Sequence, residues 1–373
     1  MTDTLNVLIV DDTVTYRSIL SNIVSNIPDA TVAATASNGK IALAKLEHLK
    51  VDLVLLDIEM PEMDGLETLG ILNKNHPDIG VVMVSGLNKS SADITIRALE
   101  LGALEFIPKP DGINVEDSKN ELQQKLTQVF RHFRSKRLAR LTTTKSTVTP
   151  TPILNPSTNQ NPVIASPPSK PSSLPTVPGH FDVLVIGVST GGPNALSEVL
   201  PMLPEDLNIP VLLVQHMPPI FTESLASSLN RKSRLNVKEA AHHDLVLPNT
   251  AYIAPGGKHM EIFKAGHDVK ILIHEGPPEN SCRPAVDVLF RSISPVYGKN
   301  VLSLIMTGMG SDGALGVKSL KQTGCYSLVQ SEKSCVVYGM PKAVEELRLA
   351  DESVDLSLLA QRITQLVRKG RGL

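Results

Sequence analysis

The stretch Val183-Leu184-Val185-Ile186-Gly187-Val188-Ser189-Thr190-Gly191-Gly192 decides how this chain reads. Its apolar run is a buried strand, and the glycine-framed serine at its end opens a helix. That arrangement presents a hydroxyl nucleophile at the carboxyl edge of a sheet. Downstream, the alternation of strand and helix continues through Val211–Val214, Ala251–Ile253 and Leu302–Met306. Between them Glu261–Phe263 and Val269–Ile273 are expected to pair antiparallel across a turn containing Gly266.

Upstream, residues 1 to about 130 carry a second alternating pattern, with strands at Leu5–Val10, Thr31–Ala36, Leu53–Leu56, Val81–Val84 and Leu104–Ile107. Tyr16, Ile19, Leu20, Ile23, Val24 and Ile27 repeat at helical spacing after the first. From Leu141 to His180 the pattern stops: nine Pro, fourteen Ser or Thr and no acidic residue. Such a segment buries too little surface to offset its ordering entropy and reads as a tether. The basic run Arg131–Arg140 before it reads as the solvated end of a helix. The expected class is α/β, with two doubly wound parallel-sheet domains. The first, 1–132, is flavodoxin-like; 133–180 is the linker; 181–373 is Rossmann-like with an added antiparallel hairpin.

Composition narrows the function. Lys and Arg number 36 against 38 Asp and Glu, a net charge of −2, so no basic field draws the chain to nucleic acid or to an anionic membrane. Apolar runs such as Val51–Ile58 are too short to span a bilayer. The opening Met1-Thr2-Asp3-Thr4 lacks a secretory signal's positive region, and three cysteines form no Cys-x-x-Cys pair. The expectation is a soluble, cytoplasmic, monomeric protein with reduced thiols and no membrane insertion.

In the first half, Asp11 and Asp12 end one strand and Asp57 another, so three carboxylates converge at one sheet edge and suit Mg²⁺. Ser85 and Lys109 reach the same edge. One carboxylate can then attack phosphorus while the metal and the lysine neutralise the phosphoryl oxygens. With Val10-Asp11-Asp12, the run Leu56–Gly65, Val84-Ser85 and Pro108-Lys109-Pro110, this half resembles the response-regulator receiver domains. The resemblance implies phosphorylation of Asp57 by a histidine kinase, with Phe106 as the aromatic that moves with Ser85.

In the second half Ser189 needs a base, and His180, His216, His242, His243, His259, His267 and His274 are the candidates. Only His216 directly follows a strongly apolar strand. Leu302–Met306 ends in Thr307-Gly308-Met309-Gly310-Ser311-Asp312-Gly313, which lands Asp312 on the same edge. A phosphate cradle is the competing reading of the glycine-rich loops, but no Walker lysine accompanies them. The order Ser, His, Asp departs from that of the α/β-hydrolases.

The shared text Ile186–Pro193, Gln215–Pro218, Ala254–Met260, Arg283–Asp287 and Met306–Ala314 resembles the chemotaxis protein-glutamate methylesterases, the CheB family. The resemblance implies hydrolysis of glutamate γ-methyl esters and deamidation of glutamines on chemoreceptor helices, with the chemotaxis kinase CheA as phosphodonor. Ser189, His216 and Asp312 would be catalytic, backbone N–H groups near Thr190 and Met309 would hold the oxyanion, and Arg283 would steer the acidic receptor or serve structure. It implies Mg²⁺ in the receiver and no cofactor in the catalytic half. The competing class is a receiver joined to a non-catalytic adaptor.

Overall fold

Apolar runs without alternation become central strands covered on both faces, and the two halves of the chain repeat this plan. The structure is a computed structural model describing residues 4–86, 88–109, 115–143 and 177–369. The first domain runs β1 (Leu5–Val10), α1 (Val14–Ser25), β2 (Ala30–Ala36), α2 (Gly39–Leu46), β3 (Leu53–Asp57), α3 (Gly65–Asn75), β4 (Gly80–Ser85), α4 (Lys89–Glu100), β5 (Glu105–Pro108) and α5 (Val115–Thr143). Its parallel sheet has the order β2-β1-β3-β4-β5, the flavodoxin-like order. Every residue of β3 and β4 is buried, whereas β2 at the edge is only half-buried. The helical repeat of α1 turns Leu20, Ile23 and Val24 inward. Asn38, Asp64 and Asn88 cap α2, α3 and α4 by accepting a backbone N–H.

The helix α5 continues to Thr143 through the basic run that the sequence reads as a helix end, and so passes the 132/133 boundary drawn between domain and linker. Most of that tether, 144–176, lies outside the described residues.

The second domain runs β6 (Val183–Val188), α6 (Gly192–Val199), β7 (Val211–Gln215), α7 (Phe221–Lys232), β8 (Asn236–Glu239), β9 (Thr250–Ile253), β10 (His259–Ala265), β11 (Asp268–His274), α8 (Val286–Tyr297), β12 (Val301–Ile305), α9 (Ala314–Thr323), β13 (Tyr326–Gln330), α10 (Met340–Glu346), β14 (Glu352–Val354) and α11 (Leu356–Lys369). Seven parallel strands follow the order β14-β13-β12-β6-β7-β9-β8, and β10–β11 form the expected antiparallel hairpin. The chain leaves β6 toward β7 on one side and later returns through β12 on the other. The crevice beyond β6 and β12 is therefore the switch point where α/β sheets place their ligands.

Three strands of this sheet escape the sequence reading. Ser327 and Gln330 interrupt the apolar run of β13, yet both are buried. The outer strands β8 and β14 are short, and only Val237 of β8 is buried.

The two domains pack directly. α4 lies on α6 and α7, and the rings of Phe106 and Phe221 stack at 4.6 Å and 16°. A desolvated aromatic pair of this kind contributes ~0.5–1.5 kcal/mol beyond its buried area. Asn194 on α6 donates to the Ala103 carbonyl at 3.1 Å, and Ser228 and Lys232 on α7 bond to Glu100 on α4. The exposed Lys89–Glu223 pair at 3.5 Å adds little, because water screens it.

Candidate active site

Ser189 leaves the end of β6 on a turn that several groups fix. Its N–H donates to Thr307 O at 3.0 Å, and its carbonyl accepts from Gln215 Nε2 at 2.9 Å and from Gly192 N at 2.8 Å. Gly191 follows at φ +73°, a left-handed conformation that an L side chain enters at a cost. Gly308 passes so close that an added Cβ would lie 2.8 Å from Ser189 Cβ. Gly308 thus serves the approach of β12's loop to the serine, whereas a side chain at Gly191 would run into Val336.

His216 follows β7, and its N–H donates to Val188 O at 3.1 Å. Its Nε2 lies 2.7 Å from Asp312 Oδ2, beyond β12. Asp312 is buried, and Val286 N at 2.6 Å, Asp287 N at 3.1 Å, Gly313 N at 3.0 Å and Asn280 Nδ2 at 2.9 Å also donate to it. Burial works against the Asp312 anion, but His216 and these backbone donors hold its pKa below the usual carboxylate range. The imidazolium is likewise opposed by burial, yet Asp312 foremost, with Cys282, pushes His216 up to about 9.

Ser189 and His216 line one cleft of about 610 Å³ with Thr190, Met309 and Arg283. A serine nucleophile needs its base within hydrogen-bond reach. Among the described residues, however, the Ser189 hydroxyl makes no hydrogen bond to His216. Instead His216 Nδ1 faces Cys282 Sγ at 3.6 Å. Arg283 donates to the Glu275 and Gly276 carbonyls at 3.3 and 3.1 Å, so its guanidinium ties down the loop while lining the cleft. The other candidate bases lie elsewhere: His259 bonds to Pro277 O, His242 accepts from Ile273 N, and His180 pairs with Asp182.

Sequence reasoning missed Gln215, Asn280, Cys282 and Thr307. Thr307 Oγ1 donates to Thr190 O at 2.9 Å and accepts from Val336 N and Val337 N. Asn280 bridges two buried carboxylates, Asp287 at 3.0 Å and Asp312 at 2.9 Å, from a backbone at φ +53°. An asparagine tolerates that φ and can separate the two like charges. Asn280→Ala is expected to lower stability by ~1–3 kcal/mol, measured as a shift in the urea midpoint with unchanged slope. A substitution leaving the midpoint in place would show the bridge to be idle.

The first domain supplies the other wall of the cleft. Glu105, Phe106, Ile107 and Pro108 of β5, with Gln124, Lys125, Gln128 and Val129 of α5, line its other side. The half-buried Glu105 carboxylate accepts from Phe106 N at 2.9 Å and from Gly191 N at 3.1 Å. Burial pushes its pKa up to about 7.

At the first domain's own sheet edge, ligand oxygens of Asp11, Asp12 and Asp57 all lie within 4.8 Å of one another. Lys109 Nζ sits 2.7 Å from Asp57 Oδ2 and 2.8 Å from Asp11 Oδ2. The latter contact is an ion pair without hydrogen-bond alignment, which leaves that buried oxygen an open lone pair. Hard oxygen donors with one unsatisfied position fit Mg²⁺. Burial pushes the Asp57 carboxyl up to about 6 even beside Lys109. Ser85 is buried, and its Oγ accepts from Thr95 Oγ1 at 3.2 Å.

Comparison with known proteins agrees with both halves. The CheB methylesterase family model matches residues 184–363 and the response regulator receiver domain model matches residues 7–119. The chain is 45% identical over 367 residues to the protein-glutamate methylesterase/protein-glutamine glutaminase of Desulfotalea psychrophila, covering 98% of this chain and 99% of the relative. The protein of the same name from Halalkalibacterium halodurans is 39% identical, over 99% and 100% of the two chains. The crystal structure of the Thermotoga maritima CheB methylesterase catalytic domain is 37% identical over 50% of this chain and 99% of its own, with a TM-score of 0.49. With a receiver half and a methylesterase half matched along nearly its whole length, this chain belongs to the family of receiver-linked protein-glutamate methylesterases/protein-glutamine glutaminases.

Proposed function

We propose that the chain hydrolyses glutamate γ-methyl esters and deamidates glutamines on chemoreceptors through Ser189, His216 and Asp312, in a cleft that its own receiver domain covers. The observation that carries this reading is the meeting of three strand ends at one crevice, with His216 Nε2 held 2.7 Å from Asp312. Because Nε2 is committed to Asp312, Nδ1 is the nitrogen that takes the Ser189 proton. The productive complex therefore exchanges the Cys282 contact at Nδ1 for the serine hydroxyl. Ser189 Oγ bonds to the γ-carbonyl carbon while His216 holds its proton; that proton then leaves with methanol or ammonia. Water, deprotonated by His216, breaks the acyl–serine bond and releases glutamate. Backbone N–H groups near Thr190 and Met309 face the developing oxyanion, and one such donor is worth on the order of 10²–10³ in rate.

The receiver supplies regulation. Asp11, Asp12 and Asp57 would hold Mg²⁺, which neutralises phosphoryl charge when Asp57 accepts phosphate from the kinase. Ser85 and Lys109 would then bond the phosphoryl group, and movement of Ser85 frees Phe106 from its stack on Phe221. Loss of that stack weakens the domain contact and opens the cleft.

The test is methanol release from methylated receptor membranes with Mg²⁺ and a small phosphodonor. The wild-type chain is expected to speed up by about tenfold or more on adding phosphodonor, a coupling of about 1.4 kcal/mol. Asp57→Asn is expected to show no stimulation at all. Stimulation that survives in Asp57→Asn would remove the receiver from the regulatory scheme.

A further inference from the structure

The Gly191 N–H at the nucleophile turn already holds a carboxylate, and it comes from the other domain. Glu105 sits at the start of β5, and its Oε2 accepts the Gly191 N–H at 3.1 Å, two residues beyond Ser189. Thr190, next to Gly191 in the chain, lines the cleft beside it. Glu105 lines the same cleft as Ser189 and His216. Neighbouring contacts fix the approach: Asn194 grips the Ala103 carbonyl two residues earlier, and Phe106 stacks on Phe221 one residue later.

The chemistry of the occupant is what the reaction makes. Ester hydrolysis or deamidation of a glutamyl side chain leaves a γ-carboxylate, and Glu105 presents that same group on the same length of side chain. We propose that the Gly191 N–H, with Thr190 beside it, forms a carboxylate subsite of the active site, and that Glu105 closes it as a tethered analogue of the glutamate product. This rests on the methylesterase reading above and names the group that the cleft recognises. A tethered competitor acts at high effective concentration, so it excludes substrate without altering the catalytic groups. Undocking of the receiver withdraws the competitor and exposes the subsite in one movement.

An intramolecular competitor has a kinetic signature. In the full-length, unphosphorylated chain, Glu105→Ala is expected to lower the apparent KM for methylated receptor membranes about tenfold at unchanged kcat. Glu105→Gln keeps an acceptor for Gly191 but loses the charge, and is expected to fall between the two. Lys89→Ala breaks an exposed interdomain ion pair away from the subsite and is expected to leave KM within about twofold. A short peptide carrying a free glutamate side chain should then inhibit Glu105→Ala competitively, whereas the same peptide with alanine in its place should not. Wild-type KM in both Glu105 variants, or equal inhibition by the two peptides, would overturn the proposal. Absence of methanol release even from the phosphorylated wild-type chain would instead overturn the esterase reading on which it rests.

Discussion

Ser189→Ala is expected to cut methanol release from methylated receptor membranes by on the order of 10⁴–10⁶-fold, with little change in KM. The methyl group keeps the turn intact, because the groups that fix it bind backbone atoms: Thr307 O, Gln215 Nε2 and Gly192 N all contact the main chain of Ser189. What disappears is the atom that forms the acyl bond, and with it the division of one difficult hydrolysis into two easier steps. The phosphorylated full-length chain is the form to assay, so that covering by the receiver does not mask the loss. A chain that signals normally while carrying this substitution would favour the adaptor reading over the enzyme.

Asp312→Asn is expected to cost about 10⁴-fold in kcat, and to move the pH dependence as well. Five donors converge on Asp312: His216 Nε2, Asn280 Nδ2 and the N–H groups of Val286, Asp287 and Gly313. An amide of the same shape turns two hydrogens toward one side of that ring of donors, so His216 loses its orientation or its partner. His216 must be neutral to accept the serine proton, and the interactions with Asp312 contribute to raising its pKa to about 9. Wild-type kcat/KM is therefore expected to climb as pH rises toward that value. Removing the negative charge lowers the imidazole pKa, so the rise in the variant should lie at lower pH. A profile of kcat/KM against pH measures both effects, and an unshifted rise would show that Asp312 does not set the basicity of His216.

The same pair links pH to stability. Because the folded His216 pKa lies above its ordinary value of 6.5, the contribution of its protonated form is fully present below that pH. It is lost as pH rises through about 9. Catalysis and stability thus pull in opposite directions at this residue, since the base works only in the form that contributes less to folding.

Much of this was legible in the chain itself. The runs Leu53–Asp57 and Val183–Val188 are buried along their whole length, and an uninterrupted apolar run of that length has few other places to go. Strand ends were therefore predictable, and so were the side chains on or just after them, Asp57, Ser189 and His216, with Asp312 on the loop that follows β12. The missed strands β8, β13 and β14 fail for the converse reason. Their burial comes from neighbours rather than from their own pattern, as Ser327 and Gln330 inside β13 show.

The sequence by itself determined which groups reach the two sheet edges, because parallel strands deliver their carboxyl ends to one side whatever surrounds them. Only the tertiary structure decided what each group touches there. The 279–284 loop brings Asn280 to Asp312 and Cys282 to His216 from a segment with no periodic pattern, and no spacing rule predicts such a contact. The docking of β5 over the nucleophile turn, with Glu105 on Gly191 and Phe106 on Phe221, likewise joins residues far apart in the chain. Those pairings depend on how separate surfaces fit, and apolar periodicity encodes each surface without encoding its match.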